Sequence, residues 1–373
     1  MERSRPVLLW LSIVVLLFAA REDAAASRES AASANVGFTV LRCEIDDGRK
    51  EHWPLTVAVW YPTKEEERPD TYGNGTFSRF AYGAKAEAKS GPHALVIFSH
   101  GYGGSGIGSI FLCERLARHG FVVAAPDHSD DRAAMRIDGP TGTDLGEYLA
   151  SAKELARSGK NFDRAAHAYR TRELPLTIDK ILGENGEKGS VLEGAVNTNA
   201  IGAAGHSLGG YTVLASCGLV EGAKDDRIKA ALVLSGGVFM FRADEFGRLE
   251  VPVMFMYGER EASRFWARAV NPKGDDTQRA YAACNPPKFL LEIRHANHFS
   301  FGQVVFSNNL LGSGPELGGK IASAIETYSL AFFGRYLLND TQADPVLSRS
   351  CPMVKRCRFD VGQVSGGTAA DGQ

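Results

Sequence analysis

Several large protein classes are excluded by what this sequence has little of. The apolar run Val7 to Ala20 stops at 14 residues, short of the roughly 20 that a membrane-spanning helix needs. Positive charge is not in excess: 42 Lys and Arg face 44 Asp and Glu for a net charge of -2, so there is no basic surface to neutralise nucleic acid. No Cys/His set has zinc spacing, and no phosphate-cradling loop or dinucleotide fingerprint is present, so no cofactor is expected. Neither an internal repeat nor a linker rich in Pro, Ser and Gly divides the chain. One large domain is the expectation.

What is there begins with export. Arg3 and Arg5 precede the apolar run, and Ala24, Ala25 and Ala26 follow it, the layout of a secretory signal peptide over residues 1–26. The expected mature protein is secreted or periplasmic, with no stable membrane insertion once the signal is cleaved. A domain over 36–359 follows, with 44% hydrophobic residues in the sequence for its core, and a polar, glycine-rich tail over 360–373 reads as disordered. Six cysteines in an exported chain suggest disulfides, although the sequence does not choose the connectivity. Cys113 and Cys217 read as small buried hydrophobes, and Cys351 and Cys357 as the local pair. Nothing in the sequence fixes an oligomeric state.

The periodicity predicts a hairpin from Phe38 to Ile45 and Leu55 to Trp60, then a polar surface loop from Thr63 to Gly91. Ala94 to Phe98 is wholly apolar, as is Phe121 to Ala125, with a helix between them from about Gly108 to Arg118. That is a strand, helix, strand unit, which implies parallel pairing with both faces covered. Further strands are predicted at Ala200 to Ala204, Ala230 to Leu234, Val253 to Met256 and Phe289 to Ile293, and helices at Arg172 to Leu182, Phe265 to Ala283 and Leu317 to Leu338. The segment Asp127 to His167 is charged, with a helix near Leu145 to Ala156, and reads either as a small cap over the sheet edge or as a surface excursion.

The strand at Ala200 runs directly into Gly205-His206-Ser207-Leu208-Gly209-Gly210. A buried strand ending in Gly-x-Ser-x-Gly presents its serine at a tight turn into a helix, and the small neighbours let strand and helix pass close to it. A serine hydroxyl needs a base, and the base needs an acid to fix its tautomer, in the chain order Ser, acid, His. Downstream of Ser207 only His295 and His298 exist. His298 is preferred because it lies deeper in the loop, before Phe299. For the acid, Glu259 and Glu261 follow the strand of Val253 and share a parity that pleating cannot separate, with Asp244 a third candidate. The oxyanion donors are expected to be the N–H groups of Leu208, next after the nucleophile, and of Tyr102 in the turn His100-Gly101-Tyr102-Gly103-Gly104. Tyr102, Phe299 and Trp266 are the expected aromatic walls for substrate.

At these residues the chain resembles the α/β-hydrolase superfamily, in its dienelactone-hydrolase-like branch with the platelet-activating-factor acetylhydrolases and the cutinase and polyester hydrolases. The segments that carry the resemblance are VAVWYPT at Val57, LVIFSHGYGG at Leu95, LARHGFVVAAPDH at Leu116, GHSLGG at Gly205, VPVMFMYGERE at Val251 and IRHANHFSF at Ile293. It implies an α/β fold with a mostly parallel central sheet, an N-terminal antiparallel hairpin and helices on both faces. It also implies Ser207 as nucleophile and His298 as base. Acetylhydrolases carry an aspartate where Ser235 stands here. Cutinase-like members carry the acid three residues past the Gly258 position, which is Glu261. The expected function is therefore an exported serine esterase with a Ser207, His298, Glu261 triad, acting on a small or polymeric ester. A polyester or cutin hydrolase, a phospholipid acetylhydrolase and a catalytically silent binding protein are the alternatives. The charged segment Asp127 to His167 argues against a long apolar lid, since burying its charges would be costly, and so points to short acyl groups.

Overall fold

The computed structural model describes residues 34–46, 52–261, 276–309 and 312–362. The expected signal peptide, Trp266 and most of the expected tail lie outside the described residues, as does the start of the helix expected from Phe265.

Thirteen strands are described, and eleven of them form one sheet. Its parallel centre has β5 (His93–Ser99), β6 (Phe121–Pro126), β9 (Val196–His206), β10 (Ile228–Leu234), β11 (Val253–Gly258) and β12 (Lys288–Ile293) in the spatial order β6, β5, β9, β10, β11, β12. On one flank β1 (Asn35–Ile45) and β2 (Trp53–Thr63) form the expected hairpin, paired from Asn35 with Thr63 to Ile45 with Trp53, and β2 runs antiparallel to β6.

Apolar runs without alternation make these central strands, because both of their faces are covered. Leu95 and Ile97 of β5 pack into one cluster and Val96 and Phe98 into the other, all without solvent exposure. The first cluster includes Leu174, Ile178 and Ile181 of α3 (Ala168–Gly186) and Tyr211 and Leu214 of α4 (Leu208–Leu214). The second includes α1 (Ile110–Arg118) and α6 (Pro315–Leu337). The charged excursion holds the short hairpin β7 (Met135–Arg136) and β8 (Gly139–Pro140) and the helix α2 (Leu145–Ser158), which Asp144 caps by accepting the Glu147 N–H. The remaining α-helices among the described residues are α5 (Asp276–Ala283) and α7 (Asp344–Leu347).

Two regions depart from expectation. The segment read as a surface loop contains β3 (Arg68–Thr71) and β4 (Phe77–Tyr82), which extend the sheet beyond β1. β3 is exposed throughout, and β4 buries only Phe80 and Ala81, so neither has the apolar signal of the centre. At the other edge β13 (Val354–Asp360) pairs antiparallel with β12, with Lys355, Arg358 and Asp360 exposed and Arg356 half-buried against Glu292. The six cysteines are all free thiols. Cys113 and Cys217 are buried as expected, whereas the expected Cys351 to Cys357 bridge is not formed. The two remain near enough for Cys351 to add to the upward push that burial gives the Cys357 thiol. No helix among the described residues is long and apolar enough to cross a membrane.

Candidate active site

The strand β9 delivers Ser207 at φ 57° and ψ -120°, a backbone conformation that an L-residue adopts only when its surroundings impose it. The glycines around it are there for steric reasons. A Cβ on Gly205 would lie 2.2 Å from the Gly209 carbonyl oxygen, and a Cβ on Gly209 would lie 1.9 Å from that of Ser99. The turn is pinned by the Ser207 N–H donating to the Leu234 carbonyl and by the Gly210 and Gly237 N–H groups donating to the Ser207 carbonyl.

His298 opens a single 3-10 turn after β12, capped by Asn297, whose side chain accepts the Phe299 N–H at 2.8 Å. This brings its Nε2 to 3.0 Å from Ser207 Oγ. The neighbouring His206 donates from Nε2 to the His298 carbonyl at 2.8 Å, and the two rings lie 5.0 Å apart. Burial, with His206 adding to it, pushes the His298 imidazolium down to about 3, and burial brings His206 down to about 4. Both rings are therefore neutral at physiological pH. His295 stands away from the cleft, beside Glu259 and Arg260.

The acid side differs from a direct Glu261 to His298 contact. His298 Nδ1 lies 2.6 Å from the hydroxyl of Ser235, the residue that follows β10 and sits at φ 45°. Glu261 is one step further on. Its carboxyl folds back to accept the Gly258 N–H at 2.7 Å. Burial pushes it up to about 7 against the lowering effects of that N–H and of the Ser235 hydroxyl. The loops that carry Glu261 and His298 are laced together by the Arg260 N–H on the Ala296 carbonyl and the Glu259 N–H on the Ile293 carbonyl. A Cβ on Gly258 would meet the Ala296 carbonyl oxygen at 2.4 Å, so only glycine permits this approach. The other two acid candidates are elsewhere: Glu259 is engaged by the His295 N–H and Lys355, and Asp244 is exposed and paired with Arg242.

Ser207, Ser235, Glu261 and His298 line a cleft of about 390 Å³ together with Tyr102, Leu208 and Phe299, within the usual size of a small-ligand site. Leu208 opens α4. The loop of Tyr102 passes so close that a Cβ on Gly101 would be 3.1 Å from Ser207 Cβ. Phe299 stands edge-on to His298 at 5.4 Å. The charged excursion contributes an apolar wall, since α2 turns Tyr148, Ala152 and Leu155 toward the cleft. Tyr148 stacks parallel to Tyr102 at 6.3 Å.

A family model described as platelet-activating factor acetylhydrolase, isoform II, matches residues 76–139. The platelet-activating factor acetylhydrolase of Cavia porcellus is 25% identical over 325 residues, covering 77% of this chain and 70% of that protein. That of Canis lupus familiaris is 24% identical over 267 residues, covering 66% of this chain and 57% of its own length. A solved ferulic acid esterase from Streptomyces cinnamoneus superposes with a TM-score of 0.64 at 22% identity, covering 89% of this chain and 98% of its own. The chain is an α/β-hydrolase-fold enzyme.

In this α/β-hydrolase the loop of Tyr102 rests on a buried polar network that its sequence did not disclose. Asp130, at the start of the charged segment, is buried and takes two hydrogen bonds from Arg170, at 2.9 and 2.5 Å, one from the Tyr169 hydroxyl and one from the Gly103 N–H. Arg170 also donates to the carbonyls of His100 and Gly101. Burial opposes ionisation of Asp130, but the Arg170 charge and hydrogen bonds hold its carboxyl well below the ordinary range. Beneath it His128 joins Ser99 Oγ (2.7 Å) to Glu173 (2.6 Å). This repeats the Ser, His, Glu order where no substrate reaches, since all three residues are fully buried. Burial pushes Glu173 up to about 8, so it is a neutral carboxyl at pH 7.

Arg170→Met would leave the Asp130 carboxylate buried without its partner, which typically costs about 3–5 kcal/mol. The expected outcome is a clear drop in melting temperature together with loss of turnover, checked by calorimetry and ester hydrolysis. An unchanged melting temperature would show that the pair does not hold the loop.

Proposed function

We propose that this ester hydrolase cleaves short-acyl carboxylic esters through an acyl-enzyme on Ser207. The observation that supports it most is the 3.0 Å approach of Ser207 Oγ to a neutral His298 Nε2 within a substrate-sized cleft. Ser207 Oγ attacks the ester carbonyl carbon as its proton passes to His298 Nε2. The carbonyl oxygen, now negative, is received by the backbone N–H groups of Tyr102 and Leu208. Collapse expels the alcohol, which takes the proton from His298. Water, deprotonated by the same nitrogen, then releases the acid. Glu261 is the carboxylate of the triad, and no metal or organic cofactor enters these steps.

A small acyl group suits walls made by Tyr102, Tyr148 and Phe299. The phospholipid acetylhydrolase reading gains from relatives that bear that name over most of this chain, and it shares the short acyl group. Polyester or cutin cleavage has no comparable support. A silent binding role is disfavoured because nucleophile and base are not merely present but in contact. Export, as a secreted or periplasmic enzyme, rests on Arg3, Arg5 and the apolar run behind them.

On p-nitrophenyl esters of increasing chain length, kcat/KM is expected to be highest at about C2 to C6, because selectivity of roughly 1 to 3 kcal/mol per methylene does not accumulate in a short pocket. S207A should abolish turnover on all of them. A value that climbs steadily to about C12 would favour a lipase, and an active S207A protein would remove the nucleophile.

The pH dependence follows from the groups that face the acid. His298 and His206 are neutral across the working range and Tyr257, pushed up by burial to about 12, stays protonated, while Ser235 and the Gly258 N–H do not titrate there. Glu261, raised to about 7, must be charged to stabilise an imidazolium, so its protonation below that pH removes activity. The expected kcat/KM rises through a single ionisation near neutrality and reaches a plateau on the alkaline side. This assigns to Glu261 the limb that an ordinary histidine would give. A profile flat from pH 5 to 9, measured with p-nitrophenyl acetate, would contradict the assignment.

A further inference from the structure

Ser235 holds its hydroxyl 2.6 Å from His298 Nδ1 and lines the same cleft as the Glu261 carboxyl, whose charged form it favours. We infer that it is a relay: the Glu261 carboxylate acts on His298 through the Ser235 hydroxyl rather than by touching the ring. This deepens the proposed mechanism and rests on Ser207 and His298 being its nucleophile and base.

Proton directions agree from Ser207 through His298 to Ser235. His298 Nε2 accepts from Ser207, so in the neutral ring the hydrogen is on Nδ1 and is donated to Ser235 Oγ at 2.6 Å. An oxygen that accepts there is free to donate its own hydrogen onward, and in the relay the Glu261 carboxylate receives it. Each bond therefore fixes the direction of the next. When His298 takes the serine proton, its positive charge stays on the ring, and the Ser235 hydroxyl, polarised by Glu261, presents negative charge to Nδ1. No bond to Ser235 breaks and no proton needs to leave it. Ser235 and Glu261 are positioning residues, since neither touches the reacting ester.

The backbone holds the relay in place. Ser235 leaves β10 with its N–H on the Met256 carbonyl at 2.7 Å, which anchors it to the strand that carries Glu261. Its positive φ puts the hydroxyl on the His298 side of the sheet end. That conformation is uncommon for serine and is among those aspartate tolerates best. A carboxylate introduced at 235 would therefore meet His298 Nδ1 directly and make Glu261 dispensable.

The test is the cost of E261Q in two backgrounds, read as kcat on p-nitrophenyl acetate with melting temperatures recorded. In the otherwise unchanged enzyme E261Q is expected to lower kcat by about 100-fold or more, with KM little altered, as loss of a triad acid does. In the S235D background the same change should cost less than about 5-fold. S235A should match E261Q, and S235A/E261Q should be no worse than either alone, because each breaks the same chain. An equal cost of E261Q in both backgrounds overturns the relay, as do losses for S235A and E261Q that multiply in the double variant. If E261Q and S235A are nearly as active as the parent while S207A is inactive, the relay fails and the serine mechanism stands. If S207A itself turns over, it is the mechanism that fails.

Discussion

The close approach of two backbones governs this molecule. At the end of β9 the chain must turn into α4 while passing the end of β5, and the gap between Gly209 and Ser99 leaves no room for even one extra carbon. The same squeeze recurs where Gly210 meets Gly236 and where Gly258 meets Ala296. These contacts hold the carboxyl ends of neighbouring strands so near one another that residues from the loops after β5, β9, β10, β11 and β12 share one cleft. Ser207 bears the conformational strain of that closeness, and the hydrogen bonds to its N–H and carbonyl group hold it there. A site built on rigid strand ends in this way can keep its reacting atoms within hydrogen-bond range before any substrate arrives.

Polar groups that such packing strands in the interior are matched with care. The loop from His100 to Gly103 turns its carbonyls toward Arg170 and its Gly103 N–H toward Asp130, so a buried ion pair does the work that water does for an exposed turn. An unpaired charge in that position would be strongly destabilising, whereas a paired and fully hydrogen-bonded one fixes a unique loop geometry. His206 plays a similar part on the far side by holding the His298 carbonyl. His298 is thereby gripped at its backbone and at both ring nitrogens.

Much of this was legible in the residues. Strands buried on both faces announce themselves as apolar runs, so β5, β6, β10, β11 and β12 could be placed within two residues, and the glycines around Ser207 marked the turn. β9 begins four residues before the expected Ala200, because Thr198 and Asn199 are exposed and carry no apolar signal. The edge strands β3, β4 and β13 could not be read the same way, because an exposed edge carries little apolar signal. Ser235 gave only an indirect sign, as a serine where the acetylhydrolases carry an acid, and sequence alone could not tell that its hydroxyl would intervene between His298 and Glu261. Asp130 and Arg170 are forty positions apart, and nothing in the sequence links them. Their pairing exists only once the end of β6 and the start of α3 meet. Charge along a chain shows neither its partner nor its depth. The apolar face of α2 was likewise hidden by the charges interleaved with it.

The central claim is that Ser207 is a nucleophile activated by His298, and covalent capture tests it most directly. Intact-protein mass spectrometry after exposure to a fluorophosphonate should show one adduct per chain, mapped by peptide sequencing to Ser207 and absent from S207A. An unmodified protein, or an adduct on another serine with Ser207 untouched, would contradict the account.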